Sequence, residues 1–488
     1  MENQTEHLYE RIAAHVAALV GCGALRTGQR APSIRTLSRQ QNVSTATVVR
    51  AYQELEAQGL LEGRPQSGFY VRRPAELLPL PGLARRHPVR SPRAAPAPKA
   101  VRSVGLIERL YASLNDPHVI PFGAACPSAD LLPLPRLNQG LARIARTVGH
   151  AGVWYDAAGV PVLRRQLARR AMAWGCALGA DDFIVTVGAT EAIFVALRAV
   201  SRPGDTIALE TPAYFGVLQA VAALGLSVVS IPVDPRDGLD LEALRTALAT
   251  HRLAACVATT TFHNPLGCAM SDRAKKELVA LLTEREVPLI EDDVYGELAF
   301  EGARPRPAKA FDRDGFVMLC GSVSKTLAPA YRVGWLAAPA RFRGRAMQWK
   351  HATTLSTPSL TQFAVAEFLS HGYEAHLRQL RRRLRAQVAC VREAIAATFP
   401  EGTRVSEPRG GFCLWATLPR GFDAVALAEA AFERGISVAP GPLFGASGEY
   451  ANALRLTCGH PWTPALKDAL ATLGDLASRQ LGRTVPRR

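Results

Sequence analysis

Gly321-Ser322-Val323-Ser324-Lys325-Thr326-Leu327-Ala328-Pro329-Ala330-Tyr331-Arg332-Val333-Gly334 decides how the rest of the chain is read. It follows an apolar run at 316–319 and leads into another at 333–338, and both read as buried strands. One lysine therefore falls on a loop at a strand end, with hydroxyls before it and an arginine after it. A lysine amine condenses with an aldehyde, while hydroxyls and a guanidinium hold a phosphate. Ser-x-Ser-Lys alone arises by chance on many surfaces. The longer Ser-x-Ser-Lys-x-x-x-Pro-x-x-Arg-x-Gly is far more restrictive, and it matches what pyridoxal 5'-phosphate (PLP) needs from a protein.

A β/α alternation surrounds this loop. Strands are expected at 183–187, 206–209, 228–233, 254–259 and 287–290, as well as on either side of the lysine. Helical stretches at 191–200, 241–250 and 272–286 separate most of them, which argues for a mainly parallel sheet covered by helices. Beyond residue 342 helices dominate, and the tail from Gly411 onward reads as a smaller α+β domain. The run Arg381-Arg382-Arg383 reads as a solvated helix face.

In an open α/β sheet a ligand sits outside the carboxyl ends of the strands, and the candidate residues fall there. Gly188-Ala189-Thr190 is a small-residue turn opening a helix, where backbone N–H groups face an anion. Tyr214 and Asn264 each follow a strand. Asp292 ends another, with Tyr295 three residues on and Asp293 as its adjacent rival. Ser322, Ser324 and Arg332 accompany Lys325, and Arg455 lies on an apolar stretch near the C-terminus.

In this order the motifs resemble the aminotransferase family with the aspartate aminotransferase fold (fold type I), from about residue 120 to 476. The resemblance implies PLP held as an aldimine on Lys325. Gly188, Ala189, Thr190, Ser322, Ser324 and Arg332 would contact its phosphate. Tyr214 would stack on its ring, Asn264 and Tyr295 would reach its phenolic oxygen, and Asp292 would face its pyridine nitrogen. Arg455 would clamp a ligand carboxylate. Trp154-Tyr155-Asp156 resembles a tyrosine-containing segment of the family, with either Trp154 or Tyr155 in the tyrosine's place.

The N-terminal region has a different plan. Leu8, Ile12, Val16 and Leu19 share one helical face, and the helix is expected to end at Gly21-Cys22-Gly23. Ser33 and Ser44 read as N-caps of two further short helices joined by Gln41-Asn42-Val43, the second stopping near Gly59. Residues 60–71 then read as strand, turn, strand. The whole resembles the winged helix-turn-helix of GntR-type transcription regulators, through Pro32-Ser33-x-Arg35, Val43-Ser44-x-x-Thr47-Val48, Ala51-Tyr52-x-x-Leu55, Gly59-Leu60 and Ser67-Gly68. The resemblance assigns DNA contacts to Arg35, Ser44, Thr45, Thr47, Arg64, Ser67 and Gly68. Thr45 stands where many members have arginine, and threonine cannot make a bidentate guanine contact.

Residues 75–104, rich in proline and arginine, read as an extended solvated linker. The expected plan is α/β overall: a DNA-binding domain at 1–74, this linker, and a PLP-binding aminotransferase-like domain at 105–488. A GntR-type winged helix joined to such a domain looks like the MocR/GabR regulators. That implies a homodimer binding double-stranded promoter DNA and sensing a small amino compound or B6 vitamer; the alternative is an active aminotransferase with an attached DNA-binding domain.

The totals agree with this plan. At 488 residues two or three domains are expected. A net charge of +16 suits a nucleic-acid partner. Nine dispersed cysteines without Cys-x-x-Cys argue against a disulfide frame or a metal site and for a reducing cytoplasm. No run approaches the ~20 apolar residues of a membrane span, and the polar N-terminus lacks a signal peptide's apolar core.

Overall fold

Helix periodicity in the first 60 residues produces one small core. Helices Leu8–Gly21, Ile34–Gln41 and Thr45–Ala57 precede an antiparallel hairpin, Leu61–Arg64 with Gly68–Val71. Ile12, Val16, Leu37, Val48, Tyr52, Leu55, Leu61 and Val71 are buried together. The buried Tyr52 hydroxyl donates to Pro32 O at 2.7 Å, which ties the third helix to the start of the second. The hairpin gains a partner that its sequence does not announce. Val71 N donates to Gln29 O and Ala31 N to Phe69 O, both at 2.8 Å, so residues 28–31 run beside the wing.

These elements come from a computed structural model that describes residues 8–21, 25, 28–41, 43–57, 61–64, 67–71, 97–100, 106–113, 116–152 and 154–484. The expected stops at Cys22-Gly23 and Gly59, the turn at Asn42, and linker residues 75–96 and 101–104 lie outside them. The chain divides into two units, Met1–Leu80 and Pro81–Arg488.

In the second unit the apolar runs become the expected sheet. Its order is Lys99–Ala100, Ser227–Asp234, Thr206–Thr211, Cys256–Ala258, Leu289–Asp292, Val317–Ser322, Gly334–Ala337 and Phe183–Thr186, with Gly238–Leu239 paired to Ser227–Asp234. The five strands from Ser227–Asp234 to Val317–Ser322 run parallel. Gly334–Ala337 is antiparallel to both of its neighbours. The central strands are buried throughout, as a sheet covered on both faces requires. Lys99–Ala100, inside the stretch read as linker, instead forms the antiparallel edge strand on Val228 and Ser227.

The tail builds a second sheet, Arg404–Val405, Cys413–Thr417, Ala453–Thr457 and Ala439–Pro440. Helices Tyr373–Thr398 and Pro464–Thr484 contribute Leu384, Val391, Leu470 and Leu473 to its core. The basic run on the first of these helices is not wholly solvated, which corrects the expectation. Arg381 turns inward and donates to Glu297 O at 2.6 Å, where Arg170 and Arg304 also pair with the Glu297 carboxylate. Arg382 and Arg383 remain exposed.

Candidate functional site

The lysine loop is the connection of an antiparallel pair, closed where Ser322 faces Gly334. Ser322 Oγ donates to Val333 O at 3.0 Å and lies 2.8 Å from Ser324 Oγ, while Ser324 N donates back to Ser322 Oγ at 3.0 Å. Both serines are buried at the loop base. Lys325 projects from it, and its Nζ donates to Ala125 O at 2.6 Å. Burial pulls the lysine's pKa below its ordinary value, against the opposing influence of Cys126, Cys413 and Asp292. A lowered pKa favours the neutral, nucleophilic amine.

Asp292 sits at the carboxyl end of its strand, close enough to Lys325 for the two charges to act on each other. It is buried and accepts from Val294 N at 3.3 Å. Burial pushes its pKa up to about 7. Its rival Asp293 is instead paired with Arg304. The two carboxylates are thus separated by environment: one belongs to the lysine's surroundings, the other to the Glu297 arginine network.

Arg455 is fully buried on strand Ala453–Thr457, opposite Trp415. Its Nη2 donates to Gly123 O and its Nη1 to Asn264 Oδ1, the latter at 3.5 Å. The guanidinium lies 5.4 Å from the Phe444 ring centroid and 6.0 Å from that of Phe215. Its Nε has no hydrogen-bond partner among the described residues. Tyr214 precedes helix Phe215–Ala223, and the charges of Arg455 and Asp292 reach it. Burial, then the neighbouring Tyr111, raises its pKa. Tyr295 is buried with its hydroxyl 3.8 Å from Cys413 Sγ and within electrostatic reach of Arg455 and Tyr214. Lys325, Asp292, Tyr214, Tyr295, Asn264 and Arg455 therefore converge, although Tyr214 and Arg455 lie 241 positions apart in the sequence.

The second cluster is the turn before helix Ala189–Val200. Gly188 is its N-cap residue, at φ +82°. A Cβ there would strike Arg332 Nη2 at 2.4 Å, and a Cβ on Gly334 would lie 2.5 Å from the Gly188 carbonyl carbon. Arg332, in the left-handed region at φ +52°, donates from Nη2 to Val187 O at 2.9 Å. Gly188, Ala189 and Arg332 thus form one seat beside the lysine loop, with Thr190 exposed on the first turn. Trp154 and Tyr155 are both exposed, at 73% and 63%.

Residue-level reading of the sequence missed several members. Tyr111, Phe215 and Phe444 pack around Tyr214 and Arg455, and the carbonyls of Gly123 and Ala125 take the hydrogen bonds of Arg455 and Lys325. The only sequence signal for the last pair is the small-residue run Gly123-Ala124-Ala125.

In the first unit, Ser33 Oγ caps Thr36 N and Ser44 Oγ caps Thr47 N, each at 3.1 Å. Thr47 Oγ1 also lies 2.8 Å from Ser44 Oγ, so both hydroxyls serve the cap. Arg35 and Thr45 are exposed. Ser67 Oγ is 2.7 Å from Tyr70 Oη, and Gly68, at φ +100°, covers Arg30. Arg64 lies on the first wing strand, and its side chain is outside the described set.

Residues 8–71 match the gntR family of bacterial regulatory proteins, and residues 131–471 match aminotransferase class I and II. The uncharacterized HTH-type transcriptional regulator YjiR of Escherichia coli is 35% identical over 97% of this chain and 99% of its own length. The probable rhizopine catabolism regulatory protein MocR of Rhizobium meliloti is 30% identical over 89% of this chain and 85% of its own. The 2-aminoadipate transaminase of Thermus thermophilus is 30% identical over 72% of this chain and 88% of its own. The structure of LysN, the α-aminoadipate aminotransferase of that organism, superposes with a TM-score of 0.73 at 28% identity, covering 78% of this chain and 96% of LysN. LysN was solved with N-(5'-phosphopyridoxyl)-L-leucine, and the aminotransferase family implies PLP. Among the described residues no helix is long and apolar enough to cross a membrane. A DNA-binding helix-turn-helix followed along one chain by a fold type I aminotransferase domain makes this protein a GntR-family transcription regulator of the MocR/GabR type.

Proposed function

We propose that this regulator binds PLP at Lys325 and senses a small amino compound or a B6 vitamer there. The observation that carries the reading is the convergence of Lys325, Asp292 and Arg455 outside the strand ends, beside the Gly188 turn. The residues suit the cofactor. Among the described residues no cation is bonded to the buried carboxylate of Asp292, and a protonated ring nitrogen would supply one. Among the described residues the buried Nε–H of Arg455 has no acceptor, which leaves it for a ligand carboxylate. Bound PLP would supply an aldehyde for amines and a ring that takes up electron density.

On this reading the N–H groups of Gly188, Ala189 and Thr190, with Ser322, Ser324 and Arg332, hold the phosphate. Tyr214 covers the ring, and Asn264 and Tyr295 hold its phenolic oxygen. Arg35, Ser44, Thr45, Thr47, Arg64, Ser67 and Gly68 face the DNA. We assign residues 1–74 to DNA, 75–98 to the linker, and the sensor to the chain from the edge strand Lys99–Ala100 onward. The protein acts in the cytoplasm, on the nucleoid when bound, as a homodimer on paired half-sites. A ligand that prefers one arrangement of the sensor shifts operator affinity by that preference and no more.

The test is a gel shift on the region upstream of its own gene, with and without PLP, beside an absorbance titration. Lys325→Ala should abolish the new absorption band while leaving operator affinity in the absence of PLP within about threefold, less than the ~1.4 kcal/mol that a tenfold change represents. Equal loss of band and DNA binding would refute separate roles. The second reading, an active aminotransferase, draws on the complete residue set and the likeness to a 2-aminoadipate transaminase. Multiple turnovers with a 2-oxo acid acceptor would favour it.

A further inference from the structure

We infer that Glu191 is a positioning residue for the anion seat at Gly188-Ala189-Thr190, and that Lys350 neutralises it so that a phosphate can be accommodated beside it. This rests on the cofactor reading above and names what sets the seat's affinity.

Glu191 occupies the first turn of helix Ala189–Val200, the end that attracts negative charge. Its Oε2 accepts from Val187 N at 2.5 Å. The carbonyl of the same residue accepts from Arg332, and Thr186 Oγ1 donates to Gly188 O at 2.8 Å. The turn is therefore held from both sides, with Glu191 as the acceptor for Val187 N–H. Glu191 is itself gripped from another element. Lys350 Nζ, on helix Ala340–Thr353, reaches its two oxygens at 3.0 and 3.2 Å. Thr353 Oγ1 and Thr354 Oγ1 donate to Oε1 at 3.2 and 2.5 Å. Lys350 is fully buried, and its Nζ also donates to Thr354 Oγ1 at 2.6 Å and Thr357 Oγ1 at 3.3 Å.

A buried ammonium is costly unless paired, and Glu191 is its ion-pair partner. The electrostatic consequence concerns the seat. A carboxylate in the first turn takes the place that the helix end offers an anion, and it repels an incoming phosphate. Lys350 cancels that charge. Glu191 is left as a neutralised acceptor whose work is to fix the Val187 peptide.

The experiment measures dissociation constants of the full chain for PLP and for pyridoxal, which has the same aldehyde and ring without the phosphate. Glu191→Ala removes the Val187 acceptor, and Lys350→Met leaves the carboxylate charged. Each should weaken PLP about tenfold, a loss on the scale of one charge-assisted hydrogen bond, and leave pyridoxal unchanged. Glu191→Gln keeps the acceptor and should bind PLP no more weakly than wild type. Lys350→Met/Glu191→Gln should restore PLP binding to within about threefold, because the charge imbalance is gone. Proportional weakening of both ligands, or an unchanged PLP-to-pyridoxal ratio in Glu191→Ala and Lys350→Met, overturns the inference while the cofactor reading stands. A wild-type chain that binds neither ligand overturns both.

Discussion

Asp292 carries a prediction about pH. Burial raises its pKa from 3.8 to about 7, so the ligand-free native state holds a proton that the unfolded chain releases near pH 4. The stability linked to that proton is full below about pH 4 and is lost as pH rises through about 7. Between pH 5 and 9 the melting temperature of the ligand-free wild type should fall relative to Asp292→Asn. A cation at the ring nitrogen removes the penalty, so added PLP should narrow the gap. Parallel curves with and without PLP would show that nothing positive approaches this carboxylate. Asp292 also shows what a single residue's neighbours in sequence cannot reveal. Asp292 and Asp293 are chemically identical and adjacent, and only the spacing to Tyr295 within a known family favoured one. What separates them is Arg304, which reaches Asp293 from eleven residues away.

At the level of elements, Ser44 has two separable duties. Its hydroxyl caps Thr47 N, and the same helix start is the one proposed to meet DNA phosphate. Ser44→Asp keeps an acceptor for the cap and improves the dipole interaction. It also sets a negative charge against the DNA backbone. The variant should melt no lower than wild type yet lose at least ~tenfold in operator affinity, on the scale of one lost phosphate contact turned repulsive; unchanged affinity would move the DNA interface elsewhere. Most elements were legible because burial imposes apolar periodicity directly. The strand expected at 287–290 appears as Leu289–Asp292, and the helix expected at 241–250 as Leu241–Thr250. Lys99–Ala100 was not legible, since two residues after a proline carry no period and their pairing is decided by the free edge of Ser227–Asp234. The strand-like stretch 28–31 escaped for the same reason. The inward turn of Arg381 is not legible in sequence, because a charge pattern on a helix does not show which arginine meets a buried Glu297.

For the whole molecule, the basic linker and the +16 charge make salt dependence the informative measurement. If residues 75–98 only connect, replacing Arg85, Arg86, Arg90 and Arg93 with glutamine should leave the salt slope of operator binding nearly unchanged. Four phosphate contacts from the linker would instead flatten it by about 3.6. The site at this scale was half readable. Its side chains have identities, so Lys325, Asn264 and Arg455 could be picked out. The carbonyls of Gly123 and Ala125 that hold two of them have none, and they are found only by folding the chain. One last feature has reach beyond its size. Gly334 lies directly against the main chain of Gly188 and Ala189, with no room for a methyl group of its own. The span from the amine-bearing loop to the helix mouth is consequently a main-chain dimension, which rotamer changes cannot stretch. If the proposed sensing of vitamers holds, selection among those of different reach would be made by a fixed ruler of peptide, and drift in the surrounding side chains would alter what is gripped without altering how long a ligand fits.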